Sequence, residues 1–216
     1  MPNQKSQSII ETIKSLVGTD ERNKVYAILD AARKKEIYHI FDQDKHRDDA
    51  YLFEQIHREK WFPELPWFNE YSRCIYPLNR KIPEILLKAT PYLARVNLDS
   101  FFCRWLFREC WGDNCGIFFI SQASEDRLFH HFKKLLLARS ESGESLYFRY
   151  YDPRVFRSFI PSCSSNQLNV FFGPAERFIV EQDDGDLINL YINDNGRLQR
   201  NSIDSFSNEN IKEKSV

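Results

Sequence analysis

The sequence predicts a single α/β domain with a mostly parallel or mixed central sheet flanked by helices. Three observations point there. GIFFIS (116–121) is a continuous apolar run, the mark of a strand covered on both faces. Between about residues 90 and 160, runs of this kind alternate with stretches of helical period, the order of βαβ units. The chain has 216 residues, enough to bury roughly 70% of its unfolded surface without staples.

The elements follow in order. Ser8 and Glu11 have capping-box spacing, and Ile9, Ile10, Ile13, Leu16 and Val17 make one apolar face before Gly18, so a short amphipathic helix is predicted within residues 1–20. KVYAILDAA (24–32) is β-favouring and reads as a buried strand. DDAYLFEQIHREKW (48–61) has acids at its start and Leu52 and Ile56 one turn apart, a helix pattern. WFPELPWFNEY (61–71) is interrupted by Pro63 and Pro66 and reads as an irregular aromatic segment. A brief helix after Glu84 and a strand over Tyr92–Val96 come next. Phe101, Phe102, Trp105 and Leu106 share a helical face, and GIFFIS follows as a strand. Ser124 can cap the next helix, whose stripe is Leu128, Phe132, Leu135 and Leu136. SLYFRYY (145–151) reads as a strand, and Asp152-Pro153 as the cap and first residue of a helix. NVFFG, ERFIVEQ (to 182) and DLINLYIND (186–194) read as extended. The main domain is expected over 21–195, with 196–216 as a polar, flexible tail.

Composition narrows the function. The formal net charge is −1, which gives no basic field for nucleic acid or an anionic membrane. No apolar run reaches the length of a membrane span, and Glu11 and Lys14 interrupt any secretory signal. Five cysteines without a CxxC pair fit a reducing, cytoplasmic compartment.

Short catalytic motifs are absent. With seven glycines, the chain has no GxGxxG or Walker loop, no GxSxG elbow and no HExxH or paired-Cys zinc spacing. No catalytic, cofactor or metal site is therefore expected. His130 and His131 are neighbours on a helix and point about 100° apart, so one should face solvent while the other packs. Cys110 and Cys115 flank the turn-like WGDN and lack further ligands, which favours packing. Asp30 ends the first strand. It is either a catalytic carboxylate at a sheet's carboxyl edge or the cap of the following turn.

ESLYFRYYDPRVFRSFIP (144–161) is the densest stretch, with six aromatic rings around Arg149, Asp152, Pro153 and Arg154. Strand alternation would put Arg149 on a sheet face, where a covered guanidinium needs an acid. Asp152 is nearest in sequence, although capping competes for it. Arg154 would sit in a first helical turn, which disfavours cations. Two readings stand: an internal Arg–Asp network fixing a corner, or an anionic partner on another chain. The rings of Trp61, Phe62, Trp67 and Phe68 likewise read as core or as a stiff docking loop.

YFRYYDPRVFRSFIP (147–161) closely resembles the "FRfyDPRVl…lp" signature of the type VI secretion effector adaptors, also called effector chaperones. VYAILDAA, ATPYLARV, ECWGDNCGIFFISQASEDRLFHHFKKLL and NVFFGPAERF resemble further family segments in the same order, over about residues 24–178. Residues 33–75 depart from the pattern. The resemblance implies a non-catalytic cytoplasmic adaptor that binds a secreted toxin effector, often near its N-terminus, and helps load it onto the VgrG spike. The residues themselves, rather than the resemblance, suggest the partner contacts: the corner at Arg149, Asp152 and Arg154 and the aromatic loop with Trp61, Phe62, Trp67 and Phe68. The alternative is a small enzyme using Asp30, Asp152 and the arginines on an anionic substrate.

Overall fold

A computed structural model describes residues 4–41, 71–77, 83–140, 142–182, 184–204 and 210–211. The first half holds α1 (Gln4–Val17), β1 (Lys24–Asp30), α2 (Lys35–Phe41), β2 (Ser72–Cys74), α3 (Glu84–Leu87), β3 (Pro91–Val96) and α4 (Phe101–Glu109). The second holds β4 (Gly116–Ser121), α5 (Glu125–Leu135), β5 (Leu137–Arg139), β6 (Ser145–Tyr147), α6 (Pro153–Phe159) and α7 (Ser165–Phe172). It closes with β7 (Arg177–Gln182), β8 (Leu187–Asp194), β9 (Arg197–Asp204) and β10 (Asn210–Ile211). The helix expected at 48–61 lies outside the described residues.

Eight strands form one sheet in the order β10-β9-β8-β7-β4-β1-β3-β2. Every pairing in it is antiparallel, which corrects the expectation of a mostly parallel or mixed sheet. The reason lies in two places. β3 and β4 do run the same way and are joined by the helical crossover α4, but β1 lies between them, antiparallel to both. The strand expected at 145–151 does not enter this sheet. Only residues 145–147 are extended, and they pair with β5 in a separate two-stranded ribbon.

Continuous apolar runs arise here because both faces of the sheet are covered. Along β1, Val25, Ala27 and Leu29 face a cluster with Ile9, Ile13, Phe102 and Leu106. Tyr26 and Ile28 face the opposite cluster with Leu128, Phe132, Phe156 and Phe171. β4 splits in the same way, with Phe118 and Ile120 on one side and Ile117 and Phe119 on the other. Helices α1, α2 and α4 thus cover one face and α5, α6 and α7 the other. A purely antiparallel sheet wrapped this way gives the same sequence pattern as a parallel one.

Local chemistry accounts for most helix boundaries. The Ser100, Ser124 and Asp152 side chains accept N–H bonds at the starts of α4, α5 and α6. α7 starts with a full capping box of Ser164 and Gln167, so Asn169–Phe172, expected to be extended, is helical. α1 begins at Gln4, which places Ser8 inside the helix with its carbonyl accepting from Thr12 Oγ1 (3.0 Å). The tail expected from 196 is also corrected, because residues 197–204 form β9. Asn195 (φ 52°) and Gly196 (φ 88°) close a two-residue hairpin with Asp194 opposite Arg197. Both residues have positive φ, which suits the right-handed twist of the flanking strands.

Gly116 opens β4 opposite Leu29. A Cβ there would lie 2.3 Å from the main-chain carbonyl oxygen of Ile28, which cannot move without shifting β1. Gly116→Ala is expected to destabilise the chain by about 1–3 kcal/mol, the usual range for overpacking, read from the urea midpoint.

Candidate functional site

The ring-rich stretch is built chiefly as core. Tyr150, Tyr151 and Phe156 are buried, and Phe148 and Phe159 pack against the same cluster. Tyr150 stacks on Phe132 and donates its hydroxyl proton to the Phe132 carbonyl (2.9 Å). Phe156 meets Phe171, Phe178 and Tyr191 at ring separations of 5.0–5.6 Å, within the range favoured by aromatic pairs. Of the six rings, Tyr147 alone is exposed. The alternation expected for 145–151 fails after Tyr147, where the chain turns and the Asp152 N–H donates to the Arg149 carbonyl (3.0 Å).

The structure brings Arg149, Asp152 and Arg154 together with Asp30. Asp152 caps α6, its Oδ1 accepting from the Arg154 N–H (3.0 Å) and Nε (2.9 Å) and its Oδ2 from Arg154 Nη2 (2.6 Å). Burial alone would raise its pKa, but the Arg154 bonds outweigh it and hold the carboxyl below its usual value. Arg154 is thereby neutralised in the helical turn where a lone cation is disfavoured.

Arg149 is paired with Asp30, not with Asp152 as sequence proximity suggests. Arg149 Nη2 donates to Asp30 Oδ2 (2.5 Å), and the guanidinium lies 5.7 Å from the centre of the Tyr151 ring. Asp30 Oδ1 accepts from the Ala32 N–H (3.0 Å), so the same carboxylate caps the turn after β1. Asp30 is fully buried while Arg149 is 43% exposed. Burial pushes the Asp30 carboxyl above its usual value, and Arg149 offsets that only in part.

The other expected residues fall as follows. Trp61, Phe62, Trp67 and Phe68 lie outside the described residues. His130 is exposed and bonds the Asp126 carbonyl, while His131 Nε2 donates to the Phe171 carbonyl (2.9 Å). Burial lowers the His131 pKa. Cys110 and Cys115 are both buried. Among the described residues no group of His, Cys, Asp and Glu is placed to hold a metal ion, and no helix is long and apolar enough to cross a membrane.

Glu181 is the charged residue that sequence reading missed. It sits in an apolar strand pattern, and nothing local marks it. Its carboxylate is buried and accepts main-chain N–H bonds from Gly112 and from Asn114, tying the α4–β4 turn to β7. The Arg157 guanidinium donates to the Glu181 carbonyl. Burial drives the Glu181 pKa up to about 7, against the pull of the two N–H groups and Arg157. A cavity of about 540 Å³ opens beside it, lined by Arg154, Arg157, Asp184 and Asp186 among others. Arg154 therefore connects this cavity to the Asp30–Arg149 corner.

Residues 78–170 match the family model described as a domain of unknown function (DUF4123). The matched segment contains Arg149, Asp152 and Arg154. No curated protein and no solved structure matches the chain.

Two outcomes follow from this geometry. Arg149→Ala leaves Asp30 buried without its cation. The loss is expected to be about 2 kcal/mol, less than the ~3–5 kcal/mol of a fully buried pair because Arg149 is half in water. The double variant Asp30→Asn with Arg149→Ala should recover part of it, measured by urea unfolding. For Glu181 the native pKa of about 7 exceeds the ordinary 4.5. Between these values the folded chain holds a proton that the unfolded chain has released, so stability falls as pH rises across that window and is level below it. Glu181→Gln is expected to flatten the urea midpoint against pH between those two values.

Proposed function

We propose that this chain is a cytoplasmic adaptor that holds a type VI secretion toxin effector, near the effector's N-terminus, and assists its loading onto the VgrG spike. The observation that carries the proposal is the family match over 78–170, since that family is linked to type VI secretion effector adaptors. The collinear sequence resemblance over 24–178 agrees with it.

The geometry of the corner suits a binding surface. Asp30 and Asp152 commit both carboxylate oxygens to internal hydrogen bonds. Arg149 and Arg154 keep about half of their side-chain surface in solvent, 43% and 54%. The corner thus turns cations outward and keeps its acids inside. The enzyme alternative needs Asp30 or Asp152 free to take up a proton, and each is already engaged by an arginine and a main-chain N–H. The aromatic segment with Trp61, Phe62, Trp67 and Phe68 belongs to the proposal as a further contact, on sequence grounds alone.

The test is co-elution. Mixed with a type VI toxin effector from the same genome and with the tail of its VgrG spike, the purified chain is expected to migrate as a complex on size exclusion. Elution of all three as separate species would refute the adaptor reading.

A further inference from the structure

We propose that Glu181 makes the contact between the turn at 110–115 and the β7–β8 turn a pH-sensitive junction, closed when its carboxyl is neutral and opened toward the neighbouring cavity when the carboxyl ionises. The junction belongs to the fold itself, so the proposal stands whether or not the chain carries an effector.

The two turns interlock. Trp111 Nε1 donates to the Gly185 carbonyl (3.0 Å), a buried bond across the contact. Gly112 lies so close to the other turn that a Cβ on it would sit 2.6 Å from the Asp184 carbonyl oxygen. Asn114 (φ 54°) and Asp184 (φ 54°), one on each turn, both have left-handed backbone, a conformation that costs a residue with a side chain more than it costs glycine. Glu181 ties the pair together, because the N–H groups of Gly112 and Asn114 both donate to its carboxylate.

Burial and charge at Glu181 set the sense of the switch. The residue is 3% exposed. Among the described residues no cation bonds its carboxylate, since Arg157 reaches only the main-chain carbonyl. Two N–H bonds do not replace the water that a carboxylate loses on burial. The charges around it cancel in pairs. On the 110–115 turn Asp113 lies 3.9 Å from Lys34. On the β7–β8 turn Asp186 is paired with Lys5 of α1, and on α6 Arg154 is paired with Asp152. That leaves Arg157 of α6 against Asp184. Cys110 and Cys115 add buried thiols, and β8 places the apolar Ile188 opposite. Burial therefore dominates, in keeping with the rise of the carboxyl to about 7.

The cavity supplies the open state. Gly112, Asn114, Arg157, Glu181 and Asp184 all line it, so it touches both turns and the carboxylate that joins them. Water there can solvate the ion, and Arg157 stands beside it as a cation. A Glu181 side chain that turns into the cavity lets go of the Gly112 and Asn114 N–H groups. The open form then holds its proton at the ordinary 4.5, and the closed form at about 7. Between those values each pH unit favours the open form about tenfold, and outside them the balance is level. Mild acid closes the junction and neutrality loosens it.

The experiment is amide hydrogen exchange on the full chain, followed by NMR and divided by the intrinsic exchange rate at each pH. From about pH 5 to about pH 7, the protection of the Gly112 and Asn114 amides is expected to fall about tenfold or more. At both pH values it should lie about tenfold or more below the protection of β8, because the junction opens without the sheet. Glu181→Gln keeps a hydrogen-bonding oxygen but cannot ionise, and in it the protection of both amides is expected to stay constant with pH. The wild-type series decides the matter even if that variant fails to fold. Protection at Gly112 and Asn114 equal to that of β8 would mean that they exchange only through global unfolding, and would overturn the junction. Equal protection at the two pH values would overturn it as well, as would a fall of the same size in Glu181→Gln.

Discussion

Asp30 lies at the carboxyl end of β1 with no exposure to solvent, and its two oxygens serve different parts of the chain. One holds the turn that leaves the central strand, through the Ala32 N–H; the other holds Arg149, 119 residues further on. A carboxylate in that position is costly unless its charge is matched and its lone pairs are used. The match ties the end of the β5–β6 ribbon and the start of α6 to the middle of the sheet. Asp152 and Arg154 then complete the corner locally, since a cap and its own first-turn arginine need no distant partner.

Around this tie the fold is held by aromatic packing. Phe119 of β4 meets Phe132 of α5 at 4.8 Å and Phe178 of β7 at 5.8 Å, and Phe178 meets Phe156, Phe171 and Phe172. These rings draw α5, α6 and α7 onto one face of the sheet. The ribbon lies outside that cluster, with Tyr147 and Leu146 turned to solvent.

Local signals in the sequence were reliable where the physics is local. The caps at Ser124 and Asp152, the buried run of β4 and the split of His130 and His131 between solvent and core are all set within a few residues. Strand direction is not. The α4 crossover is legible between β3 and β4, but β1 inserts between them from 60 residues upstream, and no pattern near residues 91–121 announces it. Asn195-Gly196 was a legible hairpin signal, and its flanking strands show why residues 197–204 belong to the sheet despite their polarity: β9 lies toward the edge, with only part of its length buried. At the site, Arg149, Asp152 and Arg154 could be picked out because they crowd one segment. The pairing of Arg149 with Asp30 and the burial of Glu181 depend on contacts across the sheet, which spacing cannot report.

If the Asp30–Arg149 tie is what positions the ribbon and the corner, severing it should loosen those elements before the rest. The direct measurement is native-state hydrogen exchange on the full chain, wild type against Asp30→Asn. The account expects faster exchange at amides in 145–154, with β4 and β8 close to wild type. Equal exchange at the corner, or a uniform rise across the whole sheet, would contradict it.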